Sequence, residues 1–195
     1  MSKESRCSMK NKFSQIQKQY RFDEKNNAYL IEVSLDDYDD VYDEWDPAPF
    51  KKRFIQAEFD DFILSSAEDI PLKYNINVVL YLPESKKDGN KEAAVEAAYR
   101  NYYSYEIVKV AKNIAKLSKK TLSNFLLSMG FLSIGYFFQF GNSVILDVLQ
   151  EGIFIGGWVF LWEFFTDIIT TRRELLAENK LYKRIYHSEL RYIYI

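Results

Sequence analysis

Histidine and cysteine are almost missing from this chain: His187 and Cys7 are the only ones in 195 residues. An intrachain disulfide is thereby excluded, which fits a reducing compartment. A zinc site built on cysteine and histidine needs more ligands than the chain owns. Triad or acid–base chemistry of the histidine kind would rest on His187 alone, inside a charged, helix-patterned stretch. Cys7 sits in a polar tail and reads as inert. The Gly-rich phosphate loop G-x-x-x-x-G-K-[ST] is absent, as are G-x-G-x-x-G, H-E-x-x-H and G-x-S-x-G. These absences set the expectation of a protein that is not an enzyme, with no cofactor, no metal and no catalytic residue. A net charge of −2 removes bulk electrostatic capture of nucleic acid, so no nucleic-acid partner is expected. Residues 1–27 are polar throughout and have no apolar core of the kind a signal peptide carries.

Charge is missing in one further place. Leu122–Phe140 contains no Asp, Glu, Lys or Arg, and at ~1.5 Å per residue it makes about 28 Å of helix, close to the ~30 Å bilayer core. A second apolar run, Ile145–Ile169, follows after a short break. Lys109, Lys112, Lys116, Lys119 and Lys120 precede the pair, and Arg172 and Arg173 follow it, while Gly141–Gly152 holds no basic residue. The excess of positive charge on the outer flanks predicts a transmembrane hairpin with both termini in the cytoplasm, at the inner membrane. Lys119, Lys120, Arg172 and Arg173 are the basic residues expected at the lipid surface. A buried helical hairpin in a soluble core is the competing reading, and a chain this short has little other apolar mass to wrap it.

The second run carries Gly152-x-x-x-Gly156, a spacing that lets helix backbones approach. Gly152, Gly156, Val159, Glu163 and Asp167 share one helical face, which predicts packing against protein or a second copy of the chain. Glu163 lies about 9 Å inside the end of the run, where an ionised carboxylate needs a partner. In an antiparallel hairpin the facing depth is near Asn124 and Ser128, with Lys119 and Lys120 in snorkelling reach. A register-fixing bond, a proton or ion relay and an oligomer contact are the three roles open to it.

The remaining residues, about 145 of them, suit one domain. Tyr29–Leu35 and Asn75–Leu82 have strand patterns, Tyr20–Asp23 forms a hairpin with the former, and Pro83 stops the latter. Gln56–Ser66 has helical spacing and is closed by Ile70-Pro71. Lys91–Lys120, without Gly or Pro and with Asn90 as N-cap, is expected to run as helix toward the first span. Arg172–Glu189 is amphipathic, and Leu190–Ile195 reads as a last strand. The expected organisation is a polar segment 1–27, an α+β domain 28–120, a hairpin 121–170, and a returning helix and strand 171–195. The fold class is an α+β cytosolic domain, with a three- to four-stranded sheet and helices, plus a two-helix transmembrane hairpin.

Asp36–Asp46 is a run of carboxylates interleaved with Tyr38, Tyr42 and Trp45. It reads as a solvated acidic loop with its aromatics tucked inward, as a docking segment for a protein partner, or as a divalent-cation site. The EF-hand pattern fails for want of glycine. In the docking reading Tyr38, Tyr42 and Trp45 supply contact area, and Asp39 and Asp43 supply steering. Lys51–Arg53 follows, either touching anionic headgroups or pairing with the acidic run.

The order Tyr42-Asp43-Glu44-Trp45-Asp46-Pro47-Ala48-Pro49-Phe50, Glu68-Asp69-Ile70-Pro71-Leu72-Lys73-Tyr74, a strand ending Leu82-Pro83, Glu151-Gly152, Gly156-Gly157-Trp158 and Arg172-Arg173 resembles a group of small uncharacterised prokaryotic membrane proteins. That resemblance covers roughly residues 28–195 and implies a cytosolic domain split around two spans, with no activity attached. The functional expectation is a membrane-anchored cytosolic scaffold, whose partners are membrane lipid, another protein and, through the glycine face, a homo-oligomer. A small channel, transporter or membrane-disrupting effector is the alternative.

Overall fold

A computed structural model describes residues 19–43, 54–137 and 144–195. Alternating apolar residues build four strands, β1 (Arg21–Asp23), β2 (Ala28–Ser34), β3 (Asn75–Leu82) and β4 (Glu189–Tyr194), in one mixed sheet of order β1-β2-β3-β4. β1 pairs antiparallel with β2, whereas β2, β3 and β4 are mutually parallel. The β1–β2 turn is tight enough to place Asn27 at φ 47°, in the left-handed region that Asn tolerates. Parallel neighbours require long crossovers. The first is helix α1 (Ala57–Asp69). The second contains α2 (Gly89–Phe137), α3 (Val144–Thr166), a π-helical turn at Asp167–Thr171, and α4 (Arg172–Tyr186).

The chain divides into two compact units, Met1–Ile107 with Lys180–Ile195, and Val108–Asn179. Helices α2 and α4 each pass from one unit into the other. The first unit is the α+β fold, and chain from both sides of the second unit completes it.

Its core lies between one face of the sheet and the helices. Ile31, Ile76, Val78, Leu80 and Leu82 come from β2 and β3, Ile63 and Ala67 from α1, Val95, Ala98, Tyr99 and Tyr103 from α2, and Ile185 from α4. The α2 residues recur at three- and four-residue spacing, which gathers them on one stripe. Each fully buried aliphatic side chain contributes about 1.5–3 kcal/mol. Two tyrosine hydroxyls at this core have hydrogen-bond partners: Tyr99 meets Ser188 Oγ at 3.1 Å, and Tyr192 donates to the Glu92 carbonyl at 3.0 Å. Asp88 caps α2, its carboxylate accepting from the Asn90 and Lys91 amides at 2.9 and 3.4 Å. The expected cap, Asn90, is one of the residues being capped.

Asp60, on α1, is buried and accepts from the hydroxyls of Tyr102 and Tyr103 at 2.9 and 2.8 Å. Burial pushes its pKa up; the two hydroxyls pull it partly back, and the net direction is upward from about 3.8. The folded state therefore binds this proton more tightly than the unfolded chain does. Stability attributable to Asp60 falls as pH rises through the interval between the ordinary and the raised value. Asp23 and Asp37 behave oppositely. Held to about 2 chiefly by Arg191 and Lys86 respectively, they lose their contribution as pH drops below the ordinary carboxylate range. On acidification through that interval the urea midpoint of Asp60→Asn is expected to gain less, or lose more, than that of the wild type. An equal change in the two proteins would assign that proton elsewhere.

Candidate functional site

The second unit is an antiparallel pair formed by the later turns of α2 and by α3. Its packing follows from small residues at the contact. A Cβ on Gly157 would meet Leu132 Cδ2 at 2.8 Å and the Leu132 backbone nitrogen at 3.2 Å. One on Gly135 would meet the Phe154 ring at 3.1 Å. Glycine at both positions lets the helix axes close, and Phe125–Phe164 and Phe131–Phe160 stack across the seam with centroids 5.1 and 5.6 Å apart. Gln150 Nε2 donates to the Gly135 carbonyl at 2.9 Å.

Asp167, Asn124 and Ser128 are buried in this seam, and the half-exposed Lys120 and Glu163 lie at its edge. Lys120 Nζ lies 3.0 Å from Glu163 Oε2 and 3.4 Å from Asp167 Oδ1, and Thr121 Oγ1 donates to Asp167 Oδ2 at 3.3 Å. Asp167, where α3 gives way to the π-helical turn, is 3% exposed. One turn and two turns further along α2, Asn124 and Ser128 are buried too, and Asn124 Nδ2 and Ser128 Oγ find no hydrogen-bond partner among the described residues. The outer surface is the reverse. Leu122, Leu126, Ile134, Val148, Ile155, Trp158, Trp162 and Ile169 are all exposed. The Val144–Tyr186 helical run is long and apolar enough to cross a membrane, and only 6% of its most apolar window is buried.

The residues singled out on sequence fall unevenly on this geometry. Glu163 meets Lys120, and Gly156 lies against Phe131, whose ring a Cβ at that glycine would touch at 3.4 Å. Gly152 points into open space with nothing within 4 Å, so the closest helix approach belongs to Gly157. Lys119, Arg172 and Arg173 are exposed. Tyr38 and Tyr42 require correction as partner-binding residues, since they are 1% and 2% exposed and offer no contact area. A 3-10 turn, Tyr38–Val41, causes this: Asp37 caps it by accepting from the Tyr38 amide at 2.7 Å, and the Asp40 carboxylate accepts in return from the Asp37 amide at 2.9 Å. The tyrosines turn inward, Tyr38 Oη meeting Tyr194 Oη at 2.8 Å. Asp39 remains at the surface and Asp43 is half-buried, its amide bonded to the Phe54 carbonyl at 3.0 Å. Trp45 and Lys51–Arg53 lie outside the described residues.

No family model, curated protein or solved structure matches the chain. The likeness to small prokaryotic membrane proteins accordingly stands on its motifs alone, and the functional reading on the geometry above. Asp167, Thr121 and Gly157 complete the seam. Asp167 carried a signal, since it continues the Glu163 face at i+4; Gly157 carried only its neighbour's motif.

Proposed function

We propose that the second unit is a two-span membrane hairpin that holds the α+β unit at the cytoplasmic face, both termini inside, as a binding module. The observation that supports it is the inverted burial: carboxylate, carboxamide and hydroxyl inside the seam, large aliphatic and aromatic side chains outside. In water each such exposed side chain would forfeit about 1.5–3 kcal/mol. In lipid the same surface is solvated, and the inward polar groups avoid the cost of facing hydrocarbon. α3, 23 residues long, reaches about 35 Å at ~1.5 Å per residue, enough for a ~30 Å core. Basic residues before Leu122 and after Ile169 support a connecting turn on the outside.

Two measurements test this together. After an alkaline carbonate wash the full-length protein should stay in the membrane pellet. In a Cys7→Ser background, a membrane-impermeant maleimide added to intact cells should label Ser143→Cys but reach Lys112→Cys only after lysis. Recovery as a detergent-free monomer, or labelling of position 112 from outside, would refute the two-span arrangement.

A further inference from the structure

We propose that the cavity at the amino-terminal edge of the parallel strands is a binding site for a phosphate-bearing small molecule. It lies wholly within the α+β unit and does not depend on the membrane reading. The space measures ≈ 740 Å³ and is lined from the β1–β2 turn, the α1–β3 loop, the starts of β3 and β4, and the last turns of α4. That volume is within the range of small-molecule pockets and exceeds what a bare carboxylate or phosphate needs.

Charge and donor placement decide the class. Lys180 and Lys183 line the cavity from one face of α4, and His187, the residue just after the helix, continues that face at i+7. Neither ammonium group has an ion-pair partner among the described residues, whereas Lys86, Lys91 and Lys120 all do. Lys183 and His187 are exposed, and no carboxylate neutralises them from the opposite wall. The one carboxylate present, Glu189, is already held by Arg191 at 2.6 Å and by Asn77 Nδ2 at 3.4 Å. His187 Nδ1 donates to the Lys183 carbonyl at 2.7 Å, which fixes the ring and leaves Nε2 as an acceptor for a ligand hydroxyl.

The rest of the wall suits a ligand that carries more than its anion. Asn75 offers a carboxamide, Asn26 spends its Nδ2 on Asp23 Oδ2 at 2.8 Å, and Leu72, Ile76 and Ala28 offer apolar surface. Behind them Arg184 spends its guanidinium on backbone carbonyls, so the wall is braced without drawing on the lysines. A phosphomonoester carries between one and two negative charges at neutral pH, with three strong acceptor oxygens. It matches two unpaired ammonium groups better than a singly charged carboxylate does. A soluble nucleotide and the glycerophosphate part of a lipid headgroup share this chemistry.

The test uses the full chain in phosphatidylcholine nanodiscs, titrated separately with ADP and with glycerol 3-phosphate. Saturable binding of either is expected, with tighter ADP pointing to a soluble nucleotide and tighter glycerol 3-phosphate to a headgroup. Lys180→Gln with Lys183→Gln should weaken it at least about tenfold, and Lys180→Glu should do so alone, each with an unchanged unfolding transition. Lys112→Gln, outside the cavity, is the control and should leave binding intact. No saturable binding of either probe, or binding that survives the double substitution, would overturn the proposal.

Discussion

Arg184→Met is expected to destabilise the α+β unit by about 3 kcal/mol, read as a lowered urea midpoint in the full-length protein. The guanidinium donates through Nη1 to the Ala67 and Ile70 carbonyls at 2.9 and 2.8 Å, and through Nη2 to Pro71 and Tyr74 at 3.2 and 2.7 Å. These acceptors belong to the end of α1 and the loop leading into β3, where the final carbonyls of a helix have no partner of their own. Pro71 brings no N–H that could supply one. A cation at a helix carboxyl end is also favoured by the backbone dipole. Burial pulls the Arg184 pKa down to about 10, so the side chain keeps its charge at pH 7 and all four bonds remain charge-assisted. Methionine fills much of the volume but donates nothing, leaving several acceptors partly desolvated. Lysine keeps the charge without the planar fork, so Arg184→Lys should recover only part of the loss. A midpoint for Arg184→Met equal to that of the wild type would show that water replaces the guanidinium without cost.

Arg184 also illustrates what could be read in advance and what could not. Strands were legible where alternation is uninterrupted: β3 begins at Asn75 and ends at Leu82, where the pattern and Pro83 place it. β4, at Glu189–Tyr194, follows from a short β-branched and aromatic ending. The α2 helix was legible because nothing between Lys91 and Lys120 breaks it. Its cap was not, since Asp88 and Asn90 are both good capping residues and only geometry chooses. Tyr38, Val41 and Tyr42 recur at i, i+3 and i+4, a spacing that signals one inward face. It matches the reading of this segment as an acidic loop with its aromatics tucked inward, which composition alone could not separate from the docking reading. Arg184 reads in sequence as one more cation in a basic amphipathic helix, because its four acceptors lie more than a hundred residues away. The cavity is harder still, being assembled from three stretches of chain far apart in sequence. Pairing of Lys120 with Glu163 came within reach because an antiparallel hairpin fixes which depths face each other.

Lys120→Met is expected to cost the second unit a further amount of similar size, about 3 kcal/mol, seen as a lowered thermal transition of helical circular dichroism in detergent micelles. Lys120 serves two carboxylates of different standing. The Glu163 side chain is 50% exposed and can turn outward, while that of Asp167 is 4% exposed and cannot. Without the ammonium group Asp167 keeps one hydroxyl donor, Thr121, at 3.3 Å, too little for an ion removed from water. The penalty thus arises from the orphaned aspartate rather than from the pair's own attraction. Glu163→Gln alone should therefore change stability by no more than about 1 kcal/mol, as for an exposed ion pair. Adding Asp167→Asn to Lys120→Met should restore most of what the single substitution loses, because the buried charge then disappears with its counter-ion. If the double variant were instead less stable than Lys120→Met, the seam would be held by Asp167 as an acceptor in its own right. Lys120 would then be a peripheral contact, and the inward carboxylate would need another source of compensation.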